Sequence, residues 1–168
     1  LLISEGDTWK AQRKLMQRCF HGDALRPMIS HIGSCNAQLL ERWRTKAAAG
    51  GLIDLTGEML DLSVSFNIST LFGDDGREML AQIGRAYLDH LTAPTQADIR
   101  SKLLFLKETK RVRALVSNLI ARRASGARES SDLLAMMMGV RARNGEAMPL
   151  PQLVDEVMNI LTSGHATV

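Results

Sequence analysis

Trp9 and Arg13 stand four residues apart in the stretch GDTWKAQRKLMQRCF, so a helix there projects both side chains from one face, one turn apart. An indole N–H and a guanidinium fork so placed form a compact pair of donors for a carboxylate or phosphate. A cation–π contact between the two is the plainer use of the same spacing. Near the other end, Ser163 and Gly164 follow a run of large apolar residues, and Thr167 comes one turn later. Two small residues leave a dent where something flat can approach the backbone, with a hydroxyl beside it. A close helix–helix contact is the alternative.

Other chemistries find little support. His165 has no His, Cys or carboxylate four residues away with which to share a metal, and His21, His31 and His90 are equally isolated. There is no Gly-rich phosphate loop and no nucleophile elbow. Cys19 and Cys35 have neither metal nor redox spacing, and read as reduced, buried thiols of a cytoplasmic protein.

These residues need helices to position them, and the chain is built to supply them. Its 168 residues are 45% hydrophobic and 23% charged, the range of a globular chain with one core. No apolar run is long enough to cross a bilayer, and no signal peptide is visible. Almost every segment has helical period. Helices are expected from Asp7, as cap, to Phe20; from Ala24 to Ala47; and from Asp54 to Phe72, with Leu55, Met59, Leu62, Phe66 and Leu71 inward. A turn at Gly73–Gly76 precedes a helix over 77–91. Thr95 and Asp98 suggest a capping box for a long helix with Ile99, Leu103, Leu106, Val112, Leu115, Leu119 and Ile120 on the core. A short helix over 132–141, a turn at 143–146 and a final helix opened by Pro149 and Pro151 complete an all-α chain.

Four segments in this order resemble the cytochrome P-450 family of haem-thiolate monooxygenases. GDTWKAQRKLMQRCF with HGDALRPM is similar to that family's C helix; LIDLTGEMLDLSVSFNISTLFG to its next helix pair; SDLLAMMM to the segment before its central helix; and LVDEVMNILTSGHATV to the central, or I, helix. The resemblance implies a partial all-α fold, helices C to I, in one domain over 1–168. It implies haem b, with Trp9 and Arg13 as donors to a haem propionate. It also implies that Ser163 and Gly164 let the central helix pass over the haem, and that Thr167 helps deliver protons during dioxygen cleavage. The implied reaction inserts one oxygen atom of O2 into a small apolar substrate. Electrons would come from NAD(P)H through a ferredoxin or flavoprotein reductase. Lys10, Lys14 and Arg18 are candidates for its docking, and Met79, Leu80, Ile83, Tyr87 and Leu88 for substrate contact. A bacterial source, a monomeric intact protein, and no nucleic acid or membrane segment complete the expectation.

Two departures stand out. Ala166 replaces the acid that normally precedes the threonine, and alanine relays no proton; a water route is expected instead. The N-terminal sheet region, the Glu-x-x-Arg pair and the loop bearing the proximal Cys ligand are not among these residues. The expectation is therefore of a fragment that is inactive alone. A competing reading comes from Arg100–Arg123, where eight Lys/Arg face only Glu108. It makes the chain an all-helical DNA-binding or interaction module, with steeply salt-dependent binding.

Overall fold

In a computed structural model the described residues are 5–83, 99–126, 130–142 and 145–164. Helix α1 spans Gly6–Met16 and tightens into a 3-10 turn over Gln17–Phe20. Its N-cap is Glu5, without a side-chain cap; Asp7 instead pairs with Lys10 inside the first turn at 3.3 Å. The chain breaks at His21 and forms the short α2, Gly22–Leu25. A 3-10 turn, Arg26–Met28, leads into α3, Ile29–Ala48. The expected single helix from Ala24 is thus divided around Pro27, whose missing N–H and fixed φ suit a tight turn better than a helix interior.

Asp54 caps α4, Leu55–Phe72, by accepting from the Gly57 N–H at 3.1 Å. The buried face matches the expected one only at Leu71. Leu55 is exposed, and Met59, Leu62 and Phe66 are only half-buried. Glu58, Ser63, Val64, Ile68, Leu71 and Phe72 are the buried residues, Leu71 alone among them being expected inward. The helix is apolar almost all round, so periodicity alone does not choose among its faces. Its neighbours α3 and α8 (Leu150–Ser163) make that choice.

After the turn Gly73–Asp75, α5 covers Gly76–Gln82. The expected helix over 77–91 is described only to residue 83; its remainder, Pro94 and the capping box at Thr95 and Asp98 lie outside the described residues. Helix α6, Ile99–Ala124, has the expected length but not the expected stripe. Val112, Leu119 and Ile120 are buried, whereas Ile99, Leu103 and Leu106 are exposed. Helix α7 is Leu133–Gly139. The following turn is closed by a single antiparallel bridge between Arg141 and Ala147. One continuous apolar cluster joins Met16 and Cys19 through Phe72, Val116 and Met137 to Leu153, Val157 and Leu161. Each large side chain buried there contributes about 1.5–3 kcal/mol.

A buried charge fastens α5, α6 and α7 together. Arg123 donates to both carboxylate oxygens of Asp132 at 2.8 Å, to Asp75 Oδ2 from Nη2 at 2.6 Å, and to the Phe72 carbonyl at 2.9 Å. Asp132 also accepts from Ser130 and from the Ala135 N–H, so it caps α7 as well. Burial alone would favour the neutral arginine, but hydrogen bonds to Asp132 and Asp75 outweigh it and push the guanidinium pKa up. Gly73 sits at φ 53°, and a Cβ there would lie 2.8 Å from Asp132 Oδ2. Only glycine fits both demands.

Candidate haem-facing surface

Trp9 and Arg13 are brought together as their spacing requires. The guanidinium carbon of Arg13 lies 5.1 Å from the centroid of the Trp9 ring, so the plainer cation–π use of the pair is present. That contact occupies the ring face and leaves the donors available. Arg13 is exposed, and among the described residues its guanidinium makes no ion pair. A stacked, pre-oriented fork beside an indole N–H matches a carboxylate, and a haem propionate is one.

The opposite side of α1 and the turn that follows it hold further cations. Lys14, Leu15 and Arg18 line a cavity of about 640 Å³, closed on its other side by Arg141, Met148 and Gln152. Arg18 donates to the Arg141 carbonyl at 3.2 Å, and Lys10 to Asp7. Gln152 is 11 residues before Ser163, which puts the cavity's α8 wall roughly 16 Å along the helix from that residue. Among the described residues no hydrogen bond or ion pair joins the side chains of Trp9 and Arg13 to the end of α8. They form two separate stations.

At that second station Pro149 and Pro151 start α8, and its core face is Leu153, Val154, Val157, Met158 and Leu161. Ser163 is exposed, and its hydroxyl donates back to the Asn159 carbonyl at 2.7 Å. Gly164 is half-buried, and a Cβ there would meet the carboxamide of Asn67 at 2.8–2.9 Å. The space left by its missing side chain is therefore filled from α4. Thr167, His165 and Ala166 lie outside the described residues.

The substrate-contact candidates divide similarly. Met79 and Ile83 are buried in the core and Leu80 packs against it, while Tyr87 and Leu88 lie outside the described residues. Cys19 and Cys35 are free and buried; burial pushes the Cys19 thiol pKa up, which disfavours the thiolate an iron ligand must be. Within the basic run, Arg111 pairs with Glu108, Arg113 with Asp155, Arg122 with Asp75, and Arg123 with Asp75 and Asp132. Half of the eight cations are thus committed to the chain's own carboxylates.

Sequence reasoning missed Asn67, Asp75, Arg123 and Asp132 as structural centres. Asp132 carried a signal, an acid directly before the apolar Leu133–Leu134 pair, the pattern of an N-cap. Asn67 carried another: it lies four residues from both Ser63 and Leu71, on what proves to be the buried face. The Arg123–Asp75 pair carried none, because the two residues are 48 apart in the chain.

The cytochrome P450 family model matches residues 1–168. Among curated proteins the chain is similar to cytochrome P450 709B3 of Arabidopsis thaliana, 21% identical over 99% of this chain and 36% of that protein. It is similar to the cytokinin hydroxylase of the same plant, at 24% identity with the same coverage. It also resembles the bifunctional cytochrome P450/NADPH–P450 reductase 1 of Bacillus subtilis, 21% identical over 95% of this chain and 16% of that protein. The retinoic acid bound cyanobacterial CYP120A1 shares the fold, with a TM-score of 0.71 at 17% identity over 96% of this chain and 37% of that one. The chain spans about a third of the length of the first two relatives. Plant and bacterial proteins both appear among these relatives, so the expected bacterial source finds no particular support. Among the described residues no helix is long and apolar enough to cross a membrane. An all-helical frame built in the family's order, with a family match over its whole length, leaves one conclusion: this chain belongs to the cytochrome P450 family.

Proposed function

We propose that this chain forms the haem-propionate and central-helix portion of a monooxygenase that inserts one oxygen atom of O2 into a small apolar substrate. The observation that carries this reading is the Trp9–Arg13 pair, a stacked set of donors with no ion-pair partner for Arg13 among the described residues, in a chain of this family. Haem, when bound, supplies the redox and oxygen-activating chemistry. The chain's own residues do the holding. Arg13 and Trp9 neutralise and orient a propionate, and exposed Ser163 begins the surface the cofactor meets.

Thr167 is the proposed proton-handling hydroxyl. With Ala166 before it, the proton reaches Thr167 from solvent, and His165 is the next group in sequence able to carry one. Both buried cysteines serve the core, so the thiolate ligand is assigned to residues outside this chain, and these residues alone are expected to bind haem poorly and to lack activity. NAD(P)H electrons arrive through a ferredoxin or flavoprotein reductase. Lys14 and Arg18 are the docking candidates, since Lys10 already holds Asp7. No observation favours a DNA-binding module.

The test is expression of the full-length gene, reduction, and addition of carbon monoxide. The expected result is the absorption band of thiolate-ligated haem, with product formed in proportion to NAD(P)H consumed. Thr167→Ala is expected to lower product per NAD(P)H while leaving the band in place. A full-length protein that folds yet takes up no haem would overturn the reading.

A further inference from the structure

The last described turn of α8 is held in an unusual way. Four successive carbonyls there each accept a side-chain hydrogen bond. Thr162 Oγ1 donates to Met158 O and Ser163 Oγ to Asn159 O, both at 2.7 Å. Asn67 Nδ2, from α4, donates to Ile160 O at 3.1 Å and to Leu161 O at 3.0 Å. Ile160 O also keeps its helical partner, the Gly164 N–H, at 2.8 Å.

The geometry of Asn67 suits this task. A carboxamide nitrogen has two hydrogens, and here each has its own carbonyl. The reversed amide would set its oxygen against two carbonyl oxygens, so the hydrogen-bond partners fix which way it points. Gly164 makes the arrangement possible, because a Cβ at that position would lie 2.8–2.9 Å from three atoms of the Asn67 carboxamide. Its backbone, at φ −73° and ψ −9°, does not itself call for glycine. Serine and threonine hydroxyls bonded to the carbonyl four residues back loosen and bend helices. Local donors from Thr162 and Ser163 therefore soften this turn, while the long-range donor from α4 pins it.

We infer that Asn67 is a positioning residue: through Ile160 and Leu161 it sets the last described turn of α8, which carries Ser163 and Gly164. The effect on oxygen chemistry rests on the proposed monooxygenase reading; the effect on the helix does not. Asn67 touches neither cofactor nor substrate in this scheme, so it acts only through α8.

The experiment uses the full-length protein and four forms: wild type, Asn67→Ala, Gly164→Ala and the double variant. Backbone hydrogen exchange over residues 158–165 is read alongside thermal unfolding. Asn67→Ala is expected to speed exchange in that segment roughly tenfold, the scale of losing two neutral hydrogen bonds. Gly164→Ala is expected to do the same in the wild-type background, because its methyl displaces the carboxamide. In the Asn67→Ala background the same methyl no longer meets the carboxamide, so exchange should stay close to that of Asn67→Ala alone. Asn67→Asp, equal in size but without the donor, should match Asn67→Ala or exceed it. Lower product per NAD(P)H, with the apolar substrate's KM little changed, is the expected functional counterpart. Unchanged exchange in Asn67→Ala, or additive effects of the two substitutions, would overturn the inference. Should the protein prove not to be a monooxygenase, the exchange cycle still decides the role of Asn67.

Discussion

Arg13 and Arg123 make opposite uses of the same side chain. Arg123 is 6% exposed at its side chain and is surrounded by acceptors from its own chain: Asp75, Asp132 and the Phe72 carbonyl. Arg13 is exposed, lies over Trp9, and meets no carboxylate among the described residues. The first is a fastening between helices, complete as it stands. The second is a donor without a carboxylate partner among the described residues, which is why we propose a ligand for it. A guanidinium with all its acceptors internal serves stability first.

The largest expected effect comes from breaking the fastening. Arg123→Ala should destabilise the full-length protein by about 3–5 kcal/mol in urea unfolding, because it strands Asp132 and Asp75 at a joint built around a charge. A loss below 1 kcal/mol would make the two arginines alike and end the comparison.

Arg13→Ala should leave urea unfolding of the haem-free protein within about 0.5 kcal/mol of wild type, as for most surface substitutions. It should weaken haem binding by about 1.5–3 kcal/mol, the range for a hydrogen bond to a charged group. Arg13→Lys keeps the charge but not the fork, and should fall between the two. Haem titration of the three proteins checks the order.

A second fastening, Glu58, sharpens the contrast by pH. Lys46 Nζ meets its carboxylate at 2.6 Å and Arg42 at 3.1 Å. The Lys46 hydrogen bond, opposed by burial and aided by Arg42, lowers the Glu58 pKa. A carboxylate whose pKa is lowered by folding stabilises the fold fully above its unfolded value, ~4.3, and loses that contribution as pH falls through the folded value. Stability of the wild type should therefore decline below about pH 4.3, and Glu58→Gln should flatten that part of the profile. Parallel profiles for the two proteins would show that the ion pairs contribute nothing. The smallest effect belongs to Asp7→Asn, which removes an ion pair to Lys10 from a carboxylate whose side chain is 99% exposed. Its unfolding midpoint should not move, since such pairs are screened by solvent.

Local pattern determined a good deal. Helical period places α3, α4, α6 and α8 to within a few residues, because each depends on spacing, caps and breakers that neighbours in sequence supply. The i, i+4 spacing brings Trp9 to Arg13 for the same reason. Resemblance in four ordered segments led to the family. The local account fails where the partner is distant. It sends Ile99, Leu103 and Leu106 inward, though the buried residues of α6 begin at Val112 and only Phe105 before it packs on the core. On α4, whose apolar surface runs almost all round, it places Leu71 correctly but turns Leu55, Met59, Leu62 and Phe66 too far inward. It counts Arg123 among a row of cations on one helix, whereas Asp75 and Asp132 draw that side chain inside.

Gly164 shows the division most plainly. Its small size is visible in the sequence and admits either of two uses, a close helix contact or a surface for a flat ligand. Tertiary structure fills the space with Asn67, 97 residues earlier in the chain. Spacing within a helix is set by covalent geometry and can be read from the chain alone. Which helix faces which is set by the joint packing of all of them, and no single segment carries that information.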